Sequence, residues 1–153
     1  KAYGIDPYPA RIAGLLHDYA KAYSTKEQIG KAEALGLDFG CDLSLVASIL
    51  HGPIAARELA VRYPELDASI LSAVEHHTVP SCDMSPLDMV IFIEPGRPSS
   101  TSIERQRADV GKVPLDDLFF DSFAGSIAYV IETGRYLWPG TVETYNLYVA
   151  KRR

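Results

Sequence analysis

The chain lacks the long apolar runs and the cysteine sets that mark membrane proteins and disulfide-rich proteins. Its 153 residues include two cysteines, Cys41 and Cys82, which form no metal-type pair and need not bridge. No apolar run approaches the length of a membrane span, and no signal peptide opens the sequence. We therefore expect one domain in a reducing cytoplasm, without a membrane partner.

Charge of one sign is not concentrated anywhere in the sequence. The formal net charge is −5, and no block of like charges stands out beyond the short tail 151–153. Proteins that bind nucleic acid usually carry basic patches or stripes on their surface. The composition therefore argues against nucleic acid as a partner. A small phosphorylated ligand needs only a few basic groups and is compatible with this composition.

Apolar and polar residues do not alternate with a period of two, so the sequence gives no sign of β-strands. Helical spacing, prolines and capping residues mark nearly every segment instead, and they predict one all-α domain over 1–153. The polar, irregular stretch 94–113 is predicted to be a long mobile loop. The predicted helices are 7–22, 25–35, 43–50, a segment opened by Pro53, 64–77, 87–93, 114–133 and 141–151.

The octapeptide GLLHDYAK, residues 14–21, places polar groups along an apolar helix. His17 and Asp18 are adjacent and flank the apolar face, and Lys21 lies near both along the same surface. One interpretation is a functional cluster. The alternative is an ordinary amphipathic helix with a solvated polar edge.

The histidines are concentrated at predicted helix ends and junctions, at His17, His51, His76 and His77. Imidazole nitrogens and carboxylate oxygens suit iron, manganese or zinc, and separate helices of a bundle can supply them. The alternative is that these histidines cap helices or fill the core, with their rings satisfied by backbone carbonyls. We expect this alternative for His76, because it cannot share the direction of its neighbour His77.

Five segments around these residues carry a family resemblance. In order and approximate spacing they resemble the YqeK family within the HD-domain metal-dependent phosphohydrolase superfamily. The resemblance implies an all-α HD-domain helical bundle. It also implies a bacterial symmetrical bis(5'-nucleosyl)-tetraphosphatase, which splits diadenosine tetraphosphate into two ADP. The segments are LLHDYAK (15–21), ILHGP (49–53), HHTVPSCDMSPLD (76–88), IEPGR (93–97) and GRYLWPGTVETYN (134–146).

The resemblance implies two divalent metal ions, usually iron, with manganese as an alternative. Their ligands by position would be His17, Asp18, His51 and His77, and Asp18 could bridge two cations. Lys21 would act beside Asp18 in catalysis by adding positive charge near a phosphate. The alternative for Lys21 is a solvated helix end.

The substrate implied by the resemblance is a dinucleoside polyphosphate or an ADP-like nucleotide, and the oligomeric state is left open, with a homodimer as one option. Arg97 could offer a bidentate fork to a phosphate, or it could be a surface charge of a loop. Symmetrical cleavage also requires the enzyme to bind a base or a ribose of the substrate. Within 134–140, Arg135 and Trp138 are the candidates, because aromatic faces stack on nucleobases. Alternatively, Trp138 anchors its loop into the core.

Two metal ligands of the family have no counterpart in this sequence. One is a histidine on a helix before the AYGID segment, and the other is an aspartate between Ile93 and Glu94. We expect a single HD domain that lacks its N-terminal helix and a short segment after Ile93 through omission from the sequence. The alternatives are an HD-type nucleotidase or phosphodiesterase for another nucleotide, or a degenerate HD nucleotide-binding or partner-binding module without catalysis.

Overall fold

A computed structural model describes residues 2–93 and 108–153, and these residues form helices and turns without a strand. The predicted all-α fold is confirmed. No helix within these ranges is long and apolar enough to cross a membrane. The α-helices are α1 Pro7–Leu16, α2 Thr25–Ala34, α3 His51–Arg62, α4 Ala68–His76, α5 Pro86–Phe92, α6 Leu115–Glu132 and α7 Pro139–Lys151, with a 3₁₀ helix at Ala47–Ile49.

Local capping residues start several helices where the sequence predicts a start. Ser24 and Glu27 form the predicted capping box at the start of α2, in which each side chain bonds the other residue's backbone N–H. Ser85 and Asp88 form a second capping box before α5. Gly36 follows α2 with a φ of +66°, a left-handed conformation that glycine adopts without strain.

Three predicted helices differ from the observed ones. The helix predicted from residue 64 begins only at Ala68, because the Asp67 side chain accepts the N–H of Ser69 and caps the helix there. The first predicted helix ends at Leu16 instead of residue 22, because the His17 ring binds the Gly14 carbonyl at the end of α1 and the chain continues as turns. The segment 43–50 forms only the short 3₁₀ helix. The Asp42 carboxylate does accept the N–H of Ser44, as an N-cap residue would, but the backbone bonds that follow join residues three apart, so the segment continues as turns.

Helix α4 is at the centre of the part of the fold that carries the histidines, and it packs against α1, α3 and α5. Buried apolar residues of α3 and its neighbours fill one core cluster, which includes Leu50, Ile54, Leu59 and Val74. A second cluster joins α5, α6 and α7 around Phe119. The packing of α4 on α1 and α3 brings the end of α1, the start of α3 and the end of α4 to one place.

Candidate metal centre

Four side chains converge where these three helix ends meet. His17 follows α1, His51 opens α3 and His77 follows α4. The Nε2 atoms of His51 and His77 are 3.1 Å apart. Oδ1 of Asp18 lies 3.5 Å from Nε2 of His51 and 3.7 Å from Nε2 of His77. On its other side, Oδ2 of Asp18 lies 3.5 Å from Nε2 of His17.

A repeated hydrogen bond orients the three rings. Each ring bonds the backbone of the residue three positions earlier, where carbonyls near a helix end have no partner within the helix. Nδ1 of His17 and Nδ1 of His77 donate to their carbonyls over 2.7 Å. Because a carbonyl only accepts, Nδ1 of each of these two rings carries a proton, and in a neutral ring Nε2 then keeps its lone pair. The bonded pairs are His17 with Gly14, His51 with Ser48, and His77 with Val74.

This arrangement reconciles the two interpretations of the histidines. The capping alternative describes Nδ1, which a backbone carbonyl satisfies, while the metal interpretation needs only Nε2. His76 is outside the cluster, because its Nδ1 lies 3.2 Å from Oγ of Ser72 on the preceding turn of α4.

The electrostatics favour the neutral form of the His51 and His77 rings and the charged form of the Asp18 carboxylate. Burial lowers the pKa of His77 to about 4 and also lowers the pKa of His51. For Asp18, burial opposes ionisation, but the hydrogen bond from Lys21 and the neighbouring His17 outweigh it, so the pKa of Asp18 is lowered. At neutral pH the cluster therefore offers imidazole lone pairs and one carboxylate.

The donor set fits a divalent cation. Two lone pairs that face each other over 3.1 Å repel unless a proton or a cation lies between them. The low pKa of His77 disfavours a proton there, and Oδ1 of Asp18 adds negative charge to the same space. Imidazole nitrogen together with carboxylate oxygen suits zinc, iron and manganese. Asp18, His51 and His77 thus form a candidate divalent metal site.

The remaining residues predicted for the site have different surroundings. Lys21 places its Nζ 2.8 Å from Oδ2 of Asp18, with 62 % of its side chain exposed. The guanidinium of Arg135 lies over the Tyr129 ring at 5.3 Å. Arg97 and the rest of 94–107 lie outside the described residues.

Trp138 is held by the core. Its Nε1 donates to the carbonyl of Phe39 over 2.8 Å, and the two rings meet edge to face at 5.0 Å. These contacts match the anchoring alternative. Stacking of the indole on a nucleobase stays a prediction.

Sequence reasoning missed two residues beside the cluster, Gly52 and Thr78. A Cβ on Gly52 would lie 2.8 Å from the carbonyl oxygen of Glu75 and 2.8 Å from Oγ1 of Thr78. The hydroxyl of Thr78 donates to the carbonyl of Ile49 over 2.9 Å. Their positions directly after His51 and His77 were the available signal, but only the packing of α3 on α4 gives them a role.

Two surface cavities of the described structure lie apart from the cluster. One cavity of about 640 Å³ lies alongside α7, and its lining includes Leu137, Val142 and Leu147. The other, of about 390 Å³, lies beside α3 and includes Tyr19 and Arg62. Neither is lined by a residue of the cluster. Metal ligation requires converging donor atoms and not cavity volume, so the site is identified by its geometry.

Known proteins resemble the chain over nearly its whole length. No family model matches it. Two relatives named symmetrical bis(5'-nucleosyl)-tetraphosphatase, from Halalkalibacterium halodurans and Staphylococcus aureus, are both 29 % identical to it. The alignments cover 95 % of this chain and 79 % and 77 % of those proteins. A third relative of the same name, from Bacillus subtilis, is 28 % identical and is covered over 80 % of its length.

A solved structure shows the same fold. It is a predicted HD superfamily hydrolase involved in NAD metabolism from Clostridium acetobutylicum, with a TM-score of 0.83 and 30 % identity. The match covers 98 % of this chain and 80 % of that one. The chain therefore belongs to the HD superfamily of hydrolases, and its resemblance to the symmetrical bis(5'-nucleosyl)-tetraphosphatase family is confirmed.

Proposed function

We propose that this hydrolase cleaves diadenosine tetraphosphate, or a closely related dinucleoside polyphosphate, symmetrically into two ADP. The observation that carries the proposal is the convergence of three Nε2 atoms on the Asp18 carboxylate at the junction of α1, α3 and α4. The tetraphosphatases that resemble this chain over 95 % of its length are named for that cleavage.

The cofactor we propose is a pair of divalent ions, iron in the first place and manganese as the alternative. His17, His51, His77 and Asp18 would hold it. Asp18 suits a bridging role, because Oδ1 faces His51 and His77 while Oδ2 faces His17. When bound, such ions lower the pKa of a coordinated water and stabilise negative charge on phosphate oxygens.

The basic residues near the cluster would bind the polyphosphate. Lys21 hydrogen-bonds Asp18 and is mostly exposed, so its ammonium can donate to Asp18 and to a phosphate oxygen at once. Arg97 would contribute a bidentate contact to another phosphate. Arg135 and Trp138 are the proposed contacts to the nucleoside. Since the indole nitrogen already bonds Phe39, Trp138 would offer only a ring face.

The proposed setting is the cytoplasm, since Cys41 and Cys82 are both free thiols. A homodimer is compatible with the proposal and is not required by it, because all four proposed ligands that the structure describes come from one chain.

The proposal is tested by product analysis with purified protein. With ferrous iron or manganese, diadenosine tetraphosphate should yield ADP alone. Asp18→Asn should abolish turnover, because it removes the bridging charge, while Asp121→Asn on the exposed face of α6 should leave it intact. Formation of ATP and AMP would contradict symmetrical cleavage. Nucleotide binding without turnover would indicate the binding module instead.

A further inference from the structure

We propose that Thr78 is a positioning residue that sets the spacing between His51 and His77 through its hydrogen bond to Ile49. The inference rests on the proposed function, since it concerns two of the proposed ligands. It adds a residue whose side chain is not one of the proposed ligands.

The hydrogen bond joins the two ligand-bearing segments close to the ligands themselves. Thr78 directly follows His77, and Ile49 precedes His51 by two residues. The hydroxyl of Thr78 donates to the Ile49 carbonyl over 2.9 Å, across a chain separation of 29 residues. Movement of the segment just before His51 away from the end of α4 would therefore stretch or break this bond.

A close backbone contact lies beside the same bond. Gly52 sits where a Cβ would lie 3.2 Å from the carbonyl oxygen of Val74, the same oxygen that accepts the bond from His77. The Cβ would also lie 2.8 Å from Oγ1 of Thr78. The start of α3 thus approaches the end of α4 so closely that a side chain larger than that of glycine would collide with the backbone and with Thr78.

These contacts affect the spacing of His51 and His77 because each ring is hydrogen-bonded to the backbone of its own segment. Each ring is bound to the backbone three residues earlier, so the ring cannot move independently of its segment. The separation of 3.1 Å between the two Nε2 atoms then depends on how the segments dock, which Thr78 and Gly52 determine. Partners that orient metal ligands from outside the coordination shell typically change affinity by about 10–100-fold when they are mutated.

The test compares the affinity for Co²⁺, measured by calorimetry, and the Co²⁺ absorption spectrum in variants of the full chain. Thr78→Val keeps the shape of the side chain and removes the hydroxyl. We expect it to bind Co²⁺ about 10–100-fold more weakly, with a changed spectrum. Thr78→Ser should restore binding to within about threefold. Thr133→Val is the matched control, because it also loses a hydroxyl bond to a backbone carbonyl, at the end of α6.

Unchanged affinity and spectrum in Thr78→Val would overturn the proposal, even if the metal-free protein melts at a lower temperature. If Thr78→Val does not fold, Thr78→Ala is measured by the same criterion, and loss of folding in both variants would make Thr78 merely structural. Failure of the proposed function would look different. In that case the wild type would not bind Co²⁺, or His77→Gln would bind it as tightly as the wild type.

Discussion

Nε2 of His51 and Nε2 of His77 face each other over 3.1 Å, while Nδ1 of His77 donates to the backbone of its own helix. The two rings belong to different helices and meet edge to face, with centroids 4.9 Å apart. Burial disfavours the proton that would relieve the repulsion between the lone pairs. The pair is therefore arranged for a cation before one binds.

A divalent metal should stabilise the protein against unfolding, because binding relieves this repulsion. At a free Mn²⁺ concentration about 100-fold above Kd, the free energy of unfolding should rise by about 2.7 kcal/mol. For a domain of this size that corresponds to about 5–10 °C in Tm. His77→Gln should lose the shift, and His76→Gln, outside the cluster, should keep it. Equal shifts in both variants, reversed equally by a chelator, would contradict the assignment of His77.

Gly52→Ala should destabilise the protein by about 1–3 kcal/mol, the usual effect of forcing extra volume into a packed contact. The new Cβ would meet backbone carbonyls of α4 that cannot turn aside. Gly30→Ala in α2 is the matched control, because its Cβ would meet nothing within 4 Å. It should stabilise by about 0.5–1 kcal/mol. Denaturant unfolding of the metal-free variants measures both, and a neutral Gly52→Ala would refute the close contact.

Lys21→Gln should lower kcat/KM for the dinucleotide by about 10–100-fold, since a charge-assisted hydrogen bond contributes about 1.5–3 kcal/mol. The metal-induced rise in Tm should persist in the Lys21→Gln variant, because Lys21 is not a proposed metal ligand. Lys26→Gln, at the exposed start of α2, serves as the control and should match the wild type. An unchanged kcat/KM in Lys21→Gln would indicate that Lys21 is only a solvated residue at a helix end and does not contact a phosphate.

Trp138→Ala should lower the free energy of unfolding by about 2 kcal/mol, less than the ~3–5 kcal/mol of a fully buried tryptophan. The expected loss follows from its bond to the Phe39 carbonyl and its packing on the core. Trp138→Phe should recover part of it, through packing alone. Thermal melts and KM should be measured together. A raised KM at an unchanged Tm would indicate that the indole stacks on a base instead of anchoring its loop.

Local signals predicted the helical class and several helix starts. The capping box of Ser24 and Glu27 is complete within four residues, so the sequence contains all of its partners. The prediction of a helix over 43–50 was wrong for a local reason too. The Asp42 side chain makes the expected capping bond to Ser44, but the backbone after it closes three-residue turns, and a capping residue alone does not distinguish these from an α-helix.

The site was predictable in its residue types and not in its dimensions. The HD motif and the later histidines identified the converging side chains through a family resemblance. The spacing between His51 and His77 depends on Thr78 and Gly52, which act across the packing of α3 on α4. Contacts between residues so far apart in the chain follow from tertiary docking, which neither periodicity nor capping encodes.

The bonds from the three rings to the backbone affect how the protein tolerates mutation. The acceptor in each case belongs to the main chain, at residues 14, 48 and 74. Every amino acid supplies the same carbonyl, so substitutions at these three positions leave the acceptors in place. Gly14 and Ser48 are not buried, so their side chains can change without loss of the acceptor, whereas Val74 lies in the core and its size is constrained by packing. Sensitivity to single substitutions should instead be concentrated at Thr78, whose hydroxyl links the two segments, and at Gly52, where the absence of a side chain lets α3 approach α4.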